Sequence, residues 1–215
     1  MTRVVEAGRK RYGLYGWLMA ALVAACLIGM PPVHAAGDAA PGPVQVVKTL
    51  HAALLKSMKA GSQAGFQGRY DLLQPVVKKT FDFHFIGAMV LGQDWSKLTS
   101  DEQQKFEHTM WRYTTANYAS QFSSFDGEHF TSATVSDYRK GIKLVKTQLV
   151  DSSGKHHDFV YMLHQTQGNW RIINVIADGV SDLSLKRSQY QSVLENQGFA
   201  TLISKLDQDI KRMSH

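Results

Sequence analysis

The chain has 215 residues, of which 44% are hydrophobic and 20% charged, with a formal net charge of +6 and one cysteine. This composition is that of an ordinary globular protein and excludes a disordered or repetitive chain. Basic and acidic residues are interspersed along the sequence. This argues against a nucleic-acid-binding protein, since such proteins carry a clustered basic face.

The first 35 residues have the pattern of an export signal. Three cations at 9–11 precede an apolar run over residues 17–30, which is followed by a stretch of small residues that ends at Ala35. The run is shorter than the roughly 20 apolar residues of a membrane-spanning helix. We therefore predict a signal peptide over residues 1–35, cleaved near Ala35. Lipidation of Cys26 is the alternative, because VAA precedes it.

Removal of this segment changes both the charge and the thiol content of the chain. The segment holds four of the 24 basic and one of the 18 acidic residues, which leaves 20 against 17 and a net charge of +3. A weak, transient contact with anionic membrane surfaces is the expectation that remains. Without Cys26 the exported chain has no disulfide, no thiol nucleophile and no thiolate metal ligand.

Helical periodicity dominates residues 44–126. Apolar residues at every third or fourth position open the first helix, and GSQAGFQG (61–68) is predicted to break it. Pro75 is predicted to interrupt the next helix or to begin a new one. At Thr99 the sequence TSDE forms a capping box, which predicts a long helix ending near Phe122.

A period-two pattern follows in the second half of the chain. Four runs rich in Val, Ile, Thr, Tyr and Phe lie within residues 128–178 and are joined by RKG, DSSGK and QG, which are typical hairpin turns. Helical spacing returns over residues 183–213 and is divided at Gly198. The order predicts one α+β domain over 44–215, after a flexible leader over 36–43. In it a four-stranded antiparallel sheet packs against N- and C-terminal helices.

Sequence motifs of catalysis and cofactor binding are absent. The chain contains no GxGxxG, GxxxxGK[ST], HExxH or GxSxG, and no two histidines have the i, i+4 spacing of a helical metal site. We therefore predict no catalytic residue, no metal and no cofactor. His84 is predicted to be half-buried and hydrogen-bonded. Asp82 and Asp94 are predicted to cap helices or to bond loop amides rather than to act as general bases.

Five stretches of the chain together resemble one known family. They are FDFHFIGAMVLGQDW, LTSDEQQKF, YTTANYASQF, NWRIINVIADGVSDLSLKRSQY and NQGFATLISKL, and the similarity spans about residues 45–210. The family is the toluene-tolerance family of periplasmic lipid carriers, which are MlaC-like. The phrases GRYDLLQPVVKKTFD, YASQF and DGVSDLSLKRSQY are most similar to its hopanoid-biosynthesis-associated HpnM branch. Members usually carry Asp where this chain has Asn174. If that Asp has a charged partner in relatives, the partner should be missing or different here.

The resemblance implies a soluble periplasmic shuttle that holds a hopanoid or a phospholipid. The lipid would lie between helices and a curved sheet of the NTF2 or cystatin type. The implied partner is a membrane transport complex of the MCE or RND type, which receives or delivers the lipid between the inner and outer membranes.

The stretch 81–95 holds more apolar side chains than one face of a helix can bury. Some of the apolar residues of the chain are therefore predicted to line the lipid pocket. Alternation gives the third and fourth strands two apolar faces each. We choose the aromatic face, because a Tyr ring can contact an acyl chain while its hydroxyl contacts a head group, and we assign Val175 to the opposite face. The predicted lining residues are Phe85, Met89, Val90, Trp95, Phe106, Met110 and Tyr113 and, from the chosen sheet face, Phe159, Tyr161, Leu163, Trp170, Ile172 and Ile176.

Two other functions remain open at this point. A cystatin-like enzyme that acts on a lipid or a sterol-like substrate would need an inward carboxylate or histidine of strongly shifted pKa, for which Asp82 and His84 are the candidates. A ligand-free adaptor of a membrane transporter would have a filled core and no pocket.

Overall fold

The computed structural model describes residues 41–214, so the predicted signal peptide, its cleavage site and Cys26 lie outside the described residues. Helices come first, then an antiparallel sheet, then a helix, and the predicted α+β fold class is confirmed. The elements are α1 (Pro43–Thr80), α2 (Phe83–Leu91), a 3₁₀ helix (Gly92–Lys97), α3 (Ser100–Gln121), β1 (His129–Phe130), β2 (Thr134–Arg139), β3 (Ile142–Val150), β4 (His156–Thr166), β5 (Asn169–Ala177), β6 (Val180–Ser181) and α4 (Asp182–Met213).

The long first helix is kinked by glycine but not ended by proline. Gly61 and Gly65 have φ of 54° and 61°, which glycine adopts readily, so the helix bends within the predicted break. The helix then passes through Pro75, and the predicted interruption there is wrong. The carbonyl that loses its amide donor belongs to Asp71, and both residues are exposed, so water can replace the missing hydrogen bond.

Side-chain caps begin the next two helices. The Asp82 carboxylate accepts a hydrogen bond from the Phe85 amide at 2.9 Å, which confirms its predicted role at the start of α2. The Thr99 capping box is also confirmed: Glu102 accepts a bond from the Thr99 amide and donates its own amide to the Thr99 hydroxyl. The capping role predicted for Asp94 is wrong. Its carboxylate pairs with the Lys97 ammonium at 2.7 Å.

The predicted meander is present, with its first strand divided. Strands β3, β4 and β5 pair in sequence, and β1 and β2 both pair with the free side of β3, while β6 pairs with β5. Between β1 and β2, the Thr131 amide still donates to the Gln148 carbonyl of β3, but the Thr131 carbonyl accepts a bond from the Thr147 hydroxyl instead of a backbone amide. The sheet therefore has six strands over the described residues, two of them only two residues long.

A β-bulge in β5 changes which of its side chains face the core. Met162 lies opposite Asn174, but Leu163 lies opposite Ile172, so Ile173 is an extra residue. Beyond the bulge the alternation is inverted. The predicted placement of Ile176 beside Ile172 is therefore wrong, as is the opposite placement of Val175, which is a core residue.

The main core lies between one face of the sheet and the four helices. Tyr161, Leu163 and Ile172 on that face are at most 1% exposed and belong to one apolar cluster with side chains from every helix. Among residues 41–214 no helix combines the length and apolar character needed to cross a bilayer.

Candidate functional site

Most of the predicted lining residues meet in the core. Seven of the thirteen are less than 9% exposed and pack into the main apolar cluster, so they stabilise the fold and present little open surface. These seven are Val90, Trp95, Phe106, Met110, Tyr161, Leu163 and Ile172.

The other six lie outside the buried part of this cluster. Tyr113, Phe159 and Trp170 are partly buried against it. Phe85 contacts His164 instead, with ring centroids 4.5 Å apart, and Met89 is 39% exposed. Ile176 is on the other face of the sheet.

A cavity of about 220 Å³ opens beside the core, and we call it the α4 cavity. One wall is the C-terminal half of α3, a second is the sheet, and the third is the start of α4. Of the predicted residues, Phe159 lines it, and its other lining residues were not among those predicted. The lining residues are Thr114, Asn117, Tyr118, Gln121, Phe122, Phe159, Val175, Ala177, Val180, Asp182, Leu185 and Lys186.

Local sequence explains how this cavity forms. The α3 residues at 114, 117, 118 and 121 recur every three or four positions and therefore share one face of the helix. Opposite them the sheet presents Val175 and the small Ala177, which leave space that a larger residue would fill. Val180 and Leu185 are 52% and 51% exposed, which gives the cavity an apolar mouth.

Asn174 holds the wall formed by α4. Its side-chain oxygen accepts a bond from the Leu183 amide at 3.1 Å, and its nitrogen donates to the Ser181 hydroxyl at 3.0 Å. Ser181 in turn caps α4. Both of these partners are neutral. An ionised Asp could accept but could not donate here.

A second, larger cavity of about 510 Å³ lies further along the same face of α3, and we call it the α1 groove. Phe81 lines the α1 groove and Tyr118 lines the α4 cavity, and their ring centroids are 6.2 Å apart. These two rings therefore form part of the partition between the two spaces. The groove is lined by Lys78, Phe81, Asp82, Phe83, His84, Gln104, Glu107, His108, Trp111, Thr166, Gln167 and Arg171.

The two candidate catalytic residues line the α1 groove and have structural partners. Asp82 caps α2 and pairs with His164 at 2.8 Å. The His84 side chain is 67% exposed, so the prediction that it is half-buried is wrong, although it is hydrogen-bonded to Glu107 at 2.8 Å. Within residues 41–214, no group of three or more His, Cys, Asp or Glu side chains could hold a metal ion.

A buried polar pair lies between α1 and the sheet. The Nε2 atom of His51 is 3.0 Å from the Tyr161 hydroxyl, and the His51 ring stacks on Phe130 with centroids 3.6 Å apart. Burial lowers the pKa of His51 to about 4, so the imidazole is neutral. Burial also raises the pKa of Tyr161. The burial of His51 was predictable from the sequence, because His51 follows Val47 by four positions on the apolar face of α1.

Residues 48–208 match the family model described as MlaC protein. The chain belongs to the MlaC family. The resemblance inferred from the quoted stretches is thereby confirmed at the level of the family, while its HpnM branch stays a prediction.

Similarity to individual MlaC relatives is low in identity and broad in coverage. The toluene tolerance protein ttg2D of Pseudomonas putida is 23% identical over 166 residues, which span 74% of this chain and 76% of the relative. The intermembrane phospholipid transport system binding protein MlaC of Haemophilus influenzae is 21% identical over 144 residues, 65% of each chain.

A solved structure shares the fold of this MlaC-family chain. It is the phospholipid-binding protein of Ralstonia solanacearum in complex with a phospholipid, with a TM-score of 0.69 and 16% identity. The match covers 81% of this chain and 100% of the other, which agrees with the fold described above.

Proposed function

We propose that this protein is an exported carrier that binds a phospholipid in the α4 cavity and shuttles it through the periplasm. The observation that carries the proposal is the cavity itself, which lies between sheet and helices and has half-exposed Val180 and Leu185 at its mouth. The Haemophilus relative belongs to an intermembrane phospholipid transport system and the Ralstonia protein is in complex with a phospholipid, which supports the same ligand class.

The physical need for such a carrier is large. Exposing an acyl chain to water costs about 0.8 kcal/mol per methylene, so a lipid with roughly thirty methylenes faces a barrier on the order of 20 kcal/mol. A protein that replaces water with an apolar lining removes most of this barrier. It needs no catalytic group for this task, and a non-enzymatic role is part of the proposal.

The lipid must widen the cavity as it enters. The α4 cavity has a volume of about 220 Å³. Sites for small ligands have roughly 300 to 1,000 Å³. The adjoining α1 groove supplies about 510 Å³ behind the Phe81 and Tyr118 rings. Rotation of these two side chains would join the two spaces along one face of α3.

The cargo and the partners form the finer part of the proposal. The similarity to the HpnM branch supports a hopanoid as the alternative cargo. The family resemblance supports delivery to a membrane complex of the MCE or RND type, with transient contact at the membrane surface. The adaptor alternative is less well supported, because it requires a filled core without a pocket and the α4 cavity is open at its mouth.

Native mass spectrometry tests the proposal directly. The chain from residue 36 onwards is purified gently, weighed with its ligand and extracted for lipid identification. We expect about one phospholipid or hopanoid per chain, chemically unchanged after prolonged incubation. A chain that stays empty after exposure to membranes would contradict the carrier function, and a chemically converted lipid would support the enzyme alternative.

A cavity-filling variant shows whether the α4 cavity is the site. Thr114 lies on its α3 wall, and Thr114→Trp would place an indole ring in the space. We expect lipid occupancy to fall at least tenfold. Lys105→Trp is the matched control, because Lys105 is an exposed residue on the same helix and lines neither space. Equal occupancy in the two variants would place the lipid elsewhere.

A further inference from the structure

We propose that Lys186 binds the phosphodiester of the carried lipid at the mouth of the α4 cavity, and that Asp182 binds the amine of a zwitterionic head group. This inference rests on the proposed carrier function and adds to it a chemical class of head group. It assigns the head group to one ion pair at the start of α4.

Lys186 is unusually buried for a lysine. The residue is 8% exposed, and lysines are almost never buried to this extent unless they are paired. Its ammonium lies 5.4 Å from the centroid of the Tyr113 ring, and its side chain lines the α4 cavity. The folded chain therefore holds a positive charge beside an apolar space, where an anion gains more from it than it would in water.

The partner of Lys186 is held less firmly. The ammonium pairs with the carboxylate of Asp182, one helical turn earlier in α4, and the Asp182 side chain is 53% exposed. Because the Asp182 carboxylate is accessible to water, it can be hydrated again when a phosphodiester takes its place beside the ammonium.

The charged residues of the cavity complement a zwitterionic lipid head group, which has one anionic and one cationic group. Among the residues that line the α4 cavity, Lys186 is the one cation and Asp182 is the one anion. A phosphodiester that takes Lys186 leaves the Asp182 carboxylate free at the solvent side, where it can accept hydrogen bonds from an ammonium group. An uncharged polyol head carries no charge of its own that could replace either partner of the ion pair.

The test compares lipids with identical acyl chains and different heads. Delipidated protein is equilibrated with liposomes that contain phosphatidylethanolamine, phosphatidylglycerol or diacylglycerol, and the bound lipid is quantified. We expect both phospholipids to bind at least tenfold more tightly than diacylglycerol. An uncharged hopanoid polyol is expected to behave like diacylglycerol.

Two variants separate the roles of the pair. Lys186→Met keeps the apolar stem without the charge, so it should lower phospholipid binding to the level of diacylglycerol and abolish the preference for phospholipids. Asp182→Asn frees Lys186 but removes the negative charge that would pair with the amine, so it should raise the ratio of phosphatidylglycerol to phosphatidylethanolamine several-fold. Lys205→Met, at an exposed position of α4, should change nothing. If Lys186→Met does not fold, Lys186→Gln serves the same test.

The outcomes distinguish this inference from the carrier proposal. If the wild-type protein binds all three lipids equally, or if the Lys186 variants keep the preference for phospholipids, the head-group assignment is wrong and the carrier function stands. If the wild-type protein binds none of the three lipids, the phospholipid-carrier function itself is contradicted. An unchanged lipid ratio in Asp182→Asn overturns the role of Asp182 alone.

Discussion

His51 is a residue whose surroundings decide its charge. Its pKa is lowered to about 4 by burial, whereas the unfolded chain titrates near 6.5. Below pH 6.5 the unfolded state binds a proton that the folded state does not, so this residue lowers the free energy of unfolding as pH falls from 6.5 towards 4. Above pH 6.5 its contribution is constant.

The expected size of this effect is measurable by urea unfolding. Between pH 7 and pH 5, His51 should account for a loss of about 2 kcal/mol in the free energy of unfolding. His51→Gln can still bond Tyr161 and does not titrate, so its loss over this range should be smaller by that amount. His156→Gln, at an exposed histidine, should behave like the wild type. An identical pH dependence in His51→Gln would show that the imidazole is accessible to protons.

At the scale of elements, the start of α4 depends on the sheet. Asn174→Ala would leave the Leu183 amide and the Ser181 hydroxyl without their partner in β5. The expected loss is about 1 to 3 kcal/mol in the free energy of unfolding, because an unsatisfied buried polar group costs this much. Asn174→Asp keeps the acceptor alone and should fall between this variant and the wild type.

The control for this prediction is Asn196, an exposed asparagine of α4. Asn196→Ala should stay within about 0.5 kcal/mol of the wild type, as exposed substitutions usually do. If Asn174→Ala were equally harmless, α4 would be held by its apolar contacts alone.

For the whole molecule, ligand binding and stability are linked. Lipid that binds only the folded chain stabilises it by about 2.7 kcal/mol at a free concentration of 100 times the Kd. For a domain of this size we expect Tm to rise by roughly 5 to 10 °C on loading. Differential scanning calorimetry of delipidated and reloaded protein checks this. The rise should be absent in Thr114→Trp, and a rise in that variant would place the lipid outside the α4 cavity.

The sequence by itself determined the order of elements, the caps and the broad function class. A capping box at Thr99, an N-cap at Asp82 and hairpin turns between apolar strands are local features, so neighbouring residues suffice to predict them. The family resemblance was also readable, because it depends on the order of residues in quoted stretches.

Only the tertiary structure decided which apolar residues form core and which border a cavity. A single extra residue at Ile173 inverts the face of β5, and periodicity alone cannot locate such a bulge. The pairing of His51 with Tyr161 joins residues 110 positions apart. Lys186 and Asp182 border a cavity only because α3 and the sheet pack beside the start of α4. Burial depends on these long-range contacts, which residues adjacent in sequence do not specify.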